Sequence, residues 1–309
     1  MTRDPTPREP AASTVRVGPA GWSYKDWEGI VYPAPRPRGF DPLTYLAGYF
    51  DAVEVNSTFY GPAADAAARA WVARAVAGER ARDRFRFTAK LWQRFTHQRE
   101  AAFTPADVDA VRRGFDVLAA AGRLGAVLVQ FPWSFTRDDA NREWLDDVTR
   151  AFGRAEPGGA GYPLVLEVRH ASWNIPAFYA ALAERGIGFV NVDQPLFAKS
   201  LGPSATATAP VGYVRLHGRN YEDWWRPDAG VEARYDYLYT AAELEPWAAR
   251  TRAVAAVAPE TYVVTNNHYR GQAVTNAVML DAMLAGRPVD APPGVAATYA
   301  AALAPYVRA

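Results

Sequence analysis

Eight short apolar runs recur along the chain, at 15–18, 52–56, 85–90, 126–130, 164–169, 188–193, 213–217 and 261–266, and nearly all close on a polar residue. VEVN, AVLVQ, LVLEVR, FVNVD and YVVTN lean on Val, Leu and Phe without strict alternation, as strands covered on both faces do in a parallel sheet. Longer Ala-, Leu- and Arg-rich stretches lie between them and predict helices over 42–49, 63–77, 105–121, 137–152, 175–184, 241–256 and 272–284. Asp41 before Pro42 and Thr104 before Pro105 place a capping oxygen ahead of a proline at the first helical position, and Gly122 and Gly186 suit helix ends. Strand and helix alternating in this way predict a (β/α)8 TIM barrel, one domain over 14–309, preceded by a polar, disordered tail over 1–13. Two segments stand apart. Residues 218–239 are too aromatic for a solvated linker and read as a long functional loop after the seventh strand, whereas SATATAP at 204–210 reads as a flexible connector.

Charge narrows the field only slightly. Lys plus Arg total 34 against 33 Asp plus Glu, so net charge supplies no long-range pull toward nucleic acid or an anionic membrane. Without cysteine, the chain cannot form disulfides, thiolate metal sites or a cysteine nucleophile. No apolar run reaches the roughly 18 residues of a spanning helix, so no membrane role and a cytoplasmic location are expected. P-loop, dinucleotide-binding, hydrolase-elbow and H-E-x-x-H patterns are absent.

The chemistry concentrates at the strand ends, which in a barrel build the functional face. Period-two alternation puts Glu54 and Asn56 on one face of the second strand, Glu167 and Arg169 on one face of the fifth, and Arg215 and His217 on one face of the seventh. Lys90, Gln130, Asp193 and the pair Asn266 and Asn267 close strands three, four, six and eight. Glu167 beside Arg169 is the leading acid or base, with His217, His170 and Glu54 as further catalytic candidates. Lys90, Arg169 and Arg215 suit a planar or phosphate anion, while Asn56, Tyr60, Trp22 and Gln130 can orient hydroxyls or stack. A divalent metal, if one is used, would draw on Glu167, Asp193 and His217, with His170 as a further ligand. His97 and His268 read as loop hydrogen-bonding residues. Each carboxylate has a purely structural alternative, an ion pair bracing the barrel.

The ordered motifs GWSYKDW, FDAVEVNSTFY, FRFTAKLWQRFTH, LVQFPWSF, LEVRHASW, YVRLHGR and VVTNNHYRGQAVTNA carry a resemblance to the DUF72, or YecE-like, family across roughly residues 16 to 284. That resemblance implies the TIM barrel and points to Glu54, Asn56, Tyr60, Lys90, Glu167, Arg169, His170, Arg215, His217 and Asn267. Asn267 and His268 stand where many relatives look acidic, which counts against a metal there. The function expected is an enzyme, of hydrolase, lyase or isomerase type, acting on a small anionic hydroxyl-bearing molecule such as a phosphorylated sugar. A metal-dependent phosphodiesterase on nucleic acid and a non-catalytic binding protein using the aromatic loop are the alternatives.

Overall fold

The computed structural model describes residues 13–78, 81–154, 161–224, 226 and 231–308. All eight strands are present: β1 (Thr14–Pro19), β2 (Ala52–Val55), β3 (Arg86–Lys90), β4 (Leu124–Gln130), β5 (Leu164–Glu167), β6 (Gly188–Asp193), β7 (Val211–Leu216) and β8 (Glu260–Thr265). They pair in parallel in the order β1-β8-β7-β6-β5-β4-β3-β2. The two ends of the sheet meet at a bridge between Ala20 and Glu54, where Gly21 N donates to Glu54 O at 2.8 Å. Gly18 permits that approach, because a Cβ at this position would fall 1.8 Å from Ala52 O. The result is a (β/α)8 TIM barrel.

Alternation along each strand sorts side chains between two environments. Outward residues of β2 to β5 pack under helices such as Pro105–Ala120 and Asp139–Phe152, and those of β7, β8 and β1 under Ala241–Ala255 and Gln272–Ala285. Inward residues form a smaller apolar plug that includes Ala52, Ala126, Leu128, Val165, Tyr213 and Tyr262. The expected caps form: Asp41 accepts from Thr44 N at 2.8 Å, and Thr104 with Asp107 makes a reciprocal capping box. Gly122 and Gly186 adopt φ of +64° and +63° after their helices. Short helices at Ser57–Tyr60, Ala81–Arg84, Pro293–Thr298 and Ala300–Leu303 add to those predicted. Among the described residues no helix is long and apolar enough to cross a membrane.

One expectation needs correction. The 204–210 stretch is a seated element, not a flexible connector. Buried Asn191 of β6 holds it by accepting from Ser204 Oγ at 2.6 Å and Thr206 N at 2.8 Å while donating to Thr206 O at 2.9 Å. Thr208 Oγ1 continues the pattern, accepting from Phe189 N and donating to Ile187 O. The aromatic segment 218–239, whose residues 225 and 227–230 lie outside the described residues, turns most of its rings inward. Trp224 and Tyr239 are buried, Tyr235 and Tyr237 are half-buried, and Tyr221 is the exposed ring among those described. The predicted tail lies outside the described residues except for Ser13, and Trp225 does too.

Candidate functional site

The inward polar residues near the strand ends form one charge network. Arg215 of β7 reaches across to β2, its Nε and Nη2 donating to the two Glu54 oxygens at 3.0 and 2.7 Å. Its Nη1 lies 3.2 Å from both Gln130 Oε1 and Glu167 Oε2. Tyr213, two residues back on the same face, donates to Glu54 Oε2 at 2.9 Å. Arg169 grips Glu167 Oε1 through Nε at 3.0 Å and Nη2 at 2.8 Å. Both carboxylates and Arg215 are almost wholly buried, so desolvation would be severe without these contacts. Burial alone would raise the Glu167 carboxyl; Arg215, His217 and Arg169 overcome it and hold the group well below the usual carboxylate range.

His217 sits inside this network, with Nε2 3.2 Å from Glu167 Oε1 and Nδ1 3.0 Å from Asn266 Nδ2. The same Nε2 lies 3.1 Å from Arg215 Nη1 and 3.2 Å from Arg169 Nη2, so both guanidiniums and the Glu167 carboxylate meet the ring at one nitrogen. Burial disfavours the imidazolium and, with the two guanidiniums, outweighs the pull of Glu167, so the ring is pushed down to about 3.

Beside the network lies a cavity of about 480 Å³ at the mouth of the barrel. Rings of Trp22, Tyr24, Phe59, Tyr60 and Tyr235 wall it, and Asn56, Lys90, Asn266 and His268 bring the polar atoms. Glu54, Glu167, Arg169 and Arg215 are not on its wall. Lys90 connects the two regions. Its ammonium lies 4.1 Å from the centre of the Phe59 ring and has no hydrogen-bond or ion-pair partner among the described residues. Burial and then the nearby Arg215 and Arg169 push its amine down to about 7, against the opposing pull of Glu54 and Glu167. Two further polar atoms, Asn56 Oδ1 and His268 Nδ1, are buried without a partner among the described residues. Such atoms cost free energy unless a ligand or water meets them.

Of the residues expected from sequence, Glu54, Gln130, Glu167, Arg169, Arg215 and His217 meet in the network, and Trp22, Asn56, Tyr60 and Lys90 meet at the cavity. The others stand elsewhere. His170 caps the short turn after β5, its Nδ1 accepting from Ser172 N at 3.1 Å. Asn267 Nδ2 is committed to Tyr237 O at 2.7 Å and Asn276 Oδ1 at 2.8 Å, and its neighbour Asn266 takes the cavity position. Asp193 is gripped by Arg219 at 2.9 Å, away from Glu167 and His217. The suggested metal set of Glu167, Asp193 and His217 therefore does not assemble, and no group of three or more His, Asp or Glu side chains among the described residues could hold a metal ion.

His268 is the residue that sequence reading placed wrongly. It stacks on Tyr24 at 4.3 Å and packs against Tyr235 at 4.8 Å, forming part of the cavity wall. Counting on by two from Val264 through Asn266 reaches His268, a step that the sequence reading did not take.

Known proteins share this architecture. The chain is 27% identical over 279 residues to the UPF0759 protein YunF of Bacillus subtilis (strain 168), covering 85% of this chain and 92% of that one. The crystal structure of a DUF72 family protein from Thermotoga maritima MSB8 matches with a TM-score of 0.73 at 32% identity, over 88% of this chain and 99% of that chain. A DUF72 family protein from Enterococcus faecalis V583 also gives 0.73, at 23% identity over 90% and 98% of the two chains, a likeness that speaks to the fold alone. The profile of the family described as "Protein of unknown function DUF72" matches residues 16–298, which takes in every strand but the start of β1, and the chain belongs to that family.

Proposed function

We propose that the protein is an enzyme that binds a small, hydroxyl-bearing anion in the cavity at the mouth of the barrel and works on it by proton transfer. One observation carries this reading. Glu54 and Glu167 balance Arg215 and Arg169 within the network, so the protonated Lys90 is a surplus positive charge facing open space. An anion there would pair with Lys90, and its hydroxyls could meet polar groups of Asn56 and Asn266 on the cavity wall. Aromatic walls at Trp22, Tyr24 and Tyr235 suit the apolar face of a sugar ring. Lys90, whose amine titrates near neutrality, is the proton-exchanging group, and Glu167 and His217 keep the neighbouring charges in place.

Calorimetric titration with ribose 5-phosphate, glycerol 3-phosphate, ribose and glycerol tests the reading. The phosphorylated compounds should bind and the neutral ones should not. Lys90→Gln should weaken binding by about tenfold or more, as expected on removing a charged hydrogen-bond partner. Equal affinity for charged and neutral compounds, or an unchanged affinity in the variant, overturns it.

A further inference from the structure

Three of the chain's 34 Lys plus Arg residues are lysines: Lys25, Lys90 and Lys199. Arginine fills almost every other cationic position, including Arg169 and Arg215 immediately beside Lys90. The difference between these side chains is chemical. A guanidinium stays protonated at any ordinary pH and is a poor nucleophile, whereas an amine freed of its proton has a reactive lone pair. Lys25 and Lys199 are exposed; Lys90 alone of the three faces the cavity.

The surroundings suit an amine that reacts. Glu54 and Glu167 are the nearest carboxylates, and both are already saturated by Arg215, Arg169 and Tyr213, so neither ties down the Lys90 nitrogen in a salt bridge. The Phe59 ring covers one side, and His97 stands edge-on to that ring at 4.9 Å, itself pushed down to about 4 by burial and by Lys90. The charged groups acting on the amine are therefore Arg215, Arg169, Glu54 and Glu167, with His97 neutral near pH 7.

We infer that Lys90 Nζ is a covalent nucleophile that condenses with the carbonyl carbon of an aldehyde or ketone held in the cavity, forming an imine. The nitrogen lone pair makes the C–N bond as the C–O π bond opens. The nitrogen sheds two of the three protons of its ammonium form, both end on the former carbonyl oxygen, and that oxygen leaves as water. The protonated imine then draws electrons from the adjacent carbon–carbon or carbon–hydrogen bond, which favours lyase or isomerase chemistry over hydrolysis. This inference rests on the same cavity as the reading above and adds the carbonyl to the ligand's description.

The test is reductive trapping. The full chain is incubated with cyanoborohydride and D-glyceraldehyde 3-phosphate, glyceraldehyde or pyruvate, then examined by intact mass and peptide mapping. At pH 7 a single adduct on Lys90 is expected with at least one probe, at occupancy about tenfold or more above that at Lys25 or Lys199. Lys90→Arg, which keeps the charge, should melt within a few degrees of the parent and take up no such adduct. Labelling spread over Lys25, Lys199 and the amino terminus, with Lys90 no more reactive than they are, overturns the inference. If the phosphorylated ligands still bind in calorimetry while Lys90 stays unlabelled, the imine fails and the anion reading stands. If Lys90 is labelled but charged ligands bind no better than neutral ones, the anion reading fails and the imine stands.

Discussion

Arg215 and Glu54 face each other across the interior of the barrel at 2.7 and 3.0 Å, 161 residues apart in the chain and both withdrawn from solvent. Removing one partner leaves the other as an uncompensated buried charge. Glu54→Gln or Arg215→Met should each cost about 3–5 kcal/mol of stability, while the pair of changes together should cost much less than their sum. Urea unfolding of the parent, the two single variants and the double variant measures both quantities. Additive losses would show that the two side chains do not act as a unit.

The acid side of the stability profile depends on His217. Its folded value near 3 lies below the ordinary 6.5 of an unfolded histidine, because burial and the flanking guanidiniums disfavour the imidazolium. Between those values the unfolded chain binds the extra proton, so stability falls as pH drops from 6.5 toward 3. One such group gives a slope of at most about 1.4 kcal/mol per pH unit. His97 and His268, each pushed down to about 4, act in the same direction. Unfolding measured at pH 7, 6 and 5 should show a shallower slope in His217→Gln than in the parent, and an equal slope would mean that His217 is charged in the folded state.

Lys90 works at the other end. Its folded value near 7 lies below the ordinary 10.5, so between these values the unfolded chain holds a proton that the folded chain has released. Stability should rise with pH through that window in the parent, relative to Lys90→Met, which cannot titrate. Parallel profiles for the two proteins from pH 7 to 10 would place the Lys90 value at its ordinary level.

Asn191 offers a test away from the charges. Its amide makes four hydrogen bonds from a fully buried position: to Ser204, to the N–H and C=O of Thr206, and to Tyr213 O at 3.1 Å. Asn191→Ala strands several backbone groups and should cost about 2–4 kcal/mol. Hydrogen exchange at Thr206 should accelerate strongly, and retained protection there would show that the segment is held by something else.

Gly18 sets the closure of the sheet. A methyl group 1.8 Å from Ala52 O cannot be accommodated without moving β1 away from β2. Gly18→Ala should therefore destabilise by more than about 3 kcal/mol, in the range of severe backbone clashes. Chemical unfolding checks it, and a near-neutral result would mean that the strands separate freely at this point.

Much of this architecture could be read from residues alone, for reasons that differ by element. Parallel strands buried on both faces produce apolar runs that end in polar residues, so β6 could be read to the residue and Glu54, Glu167, Arg215 and His217 could be assigned to one face. Which partner each side chain takes depends on the opposite wall of the barrel, and no local pattern encodes that. Period two also carries past β8: Val264 and Asn266 point inward, which sends Asn267 outward to Asn276, and the resemblance that favoured Asn267 obscured it. Ser204, Thr206 and Thr208 alternate in the same way, but hydroxyls among alanines looked like a linker because their partners, the Asn191 amide for Ser204 and the Thr206 backbone and the Ile187 carbonyl for Thr208, belong to another part of the chain. The scarcity of lysine was visible throughout and would have set Lys90 apart from the arginines.

The seam at Ala20 and Glu54 ties the charge network to completion of the chain. The backbone of Glu54 stitches the first two strands together, while its side chain anchors Arg215 from the seventh. Neither the carboxylate nor the lysine beside it has its final surroundings until the last third of the polypeptide has been added. A fragment ending before Arg215 would leave the Glu54 side chain without its guanidinium partner, so half-barrels of this protein should lack the network altogether, and it should assemble in one step with completion of the chain.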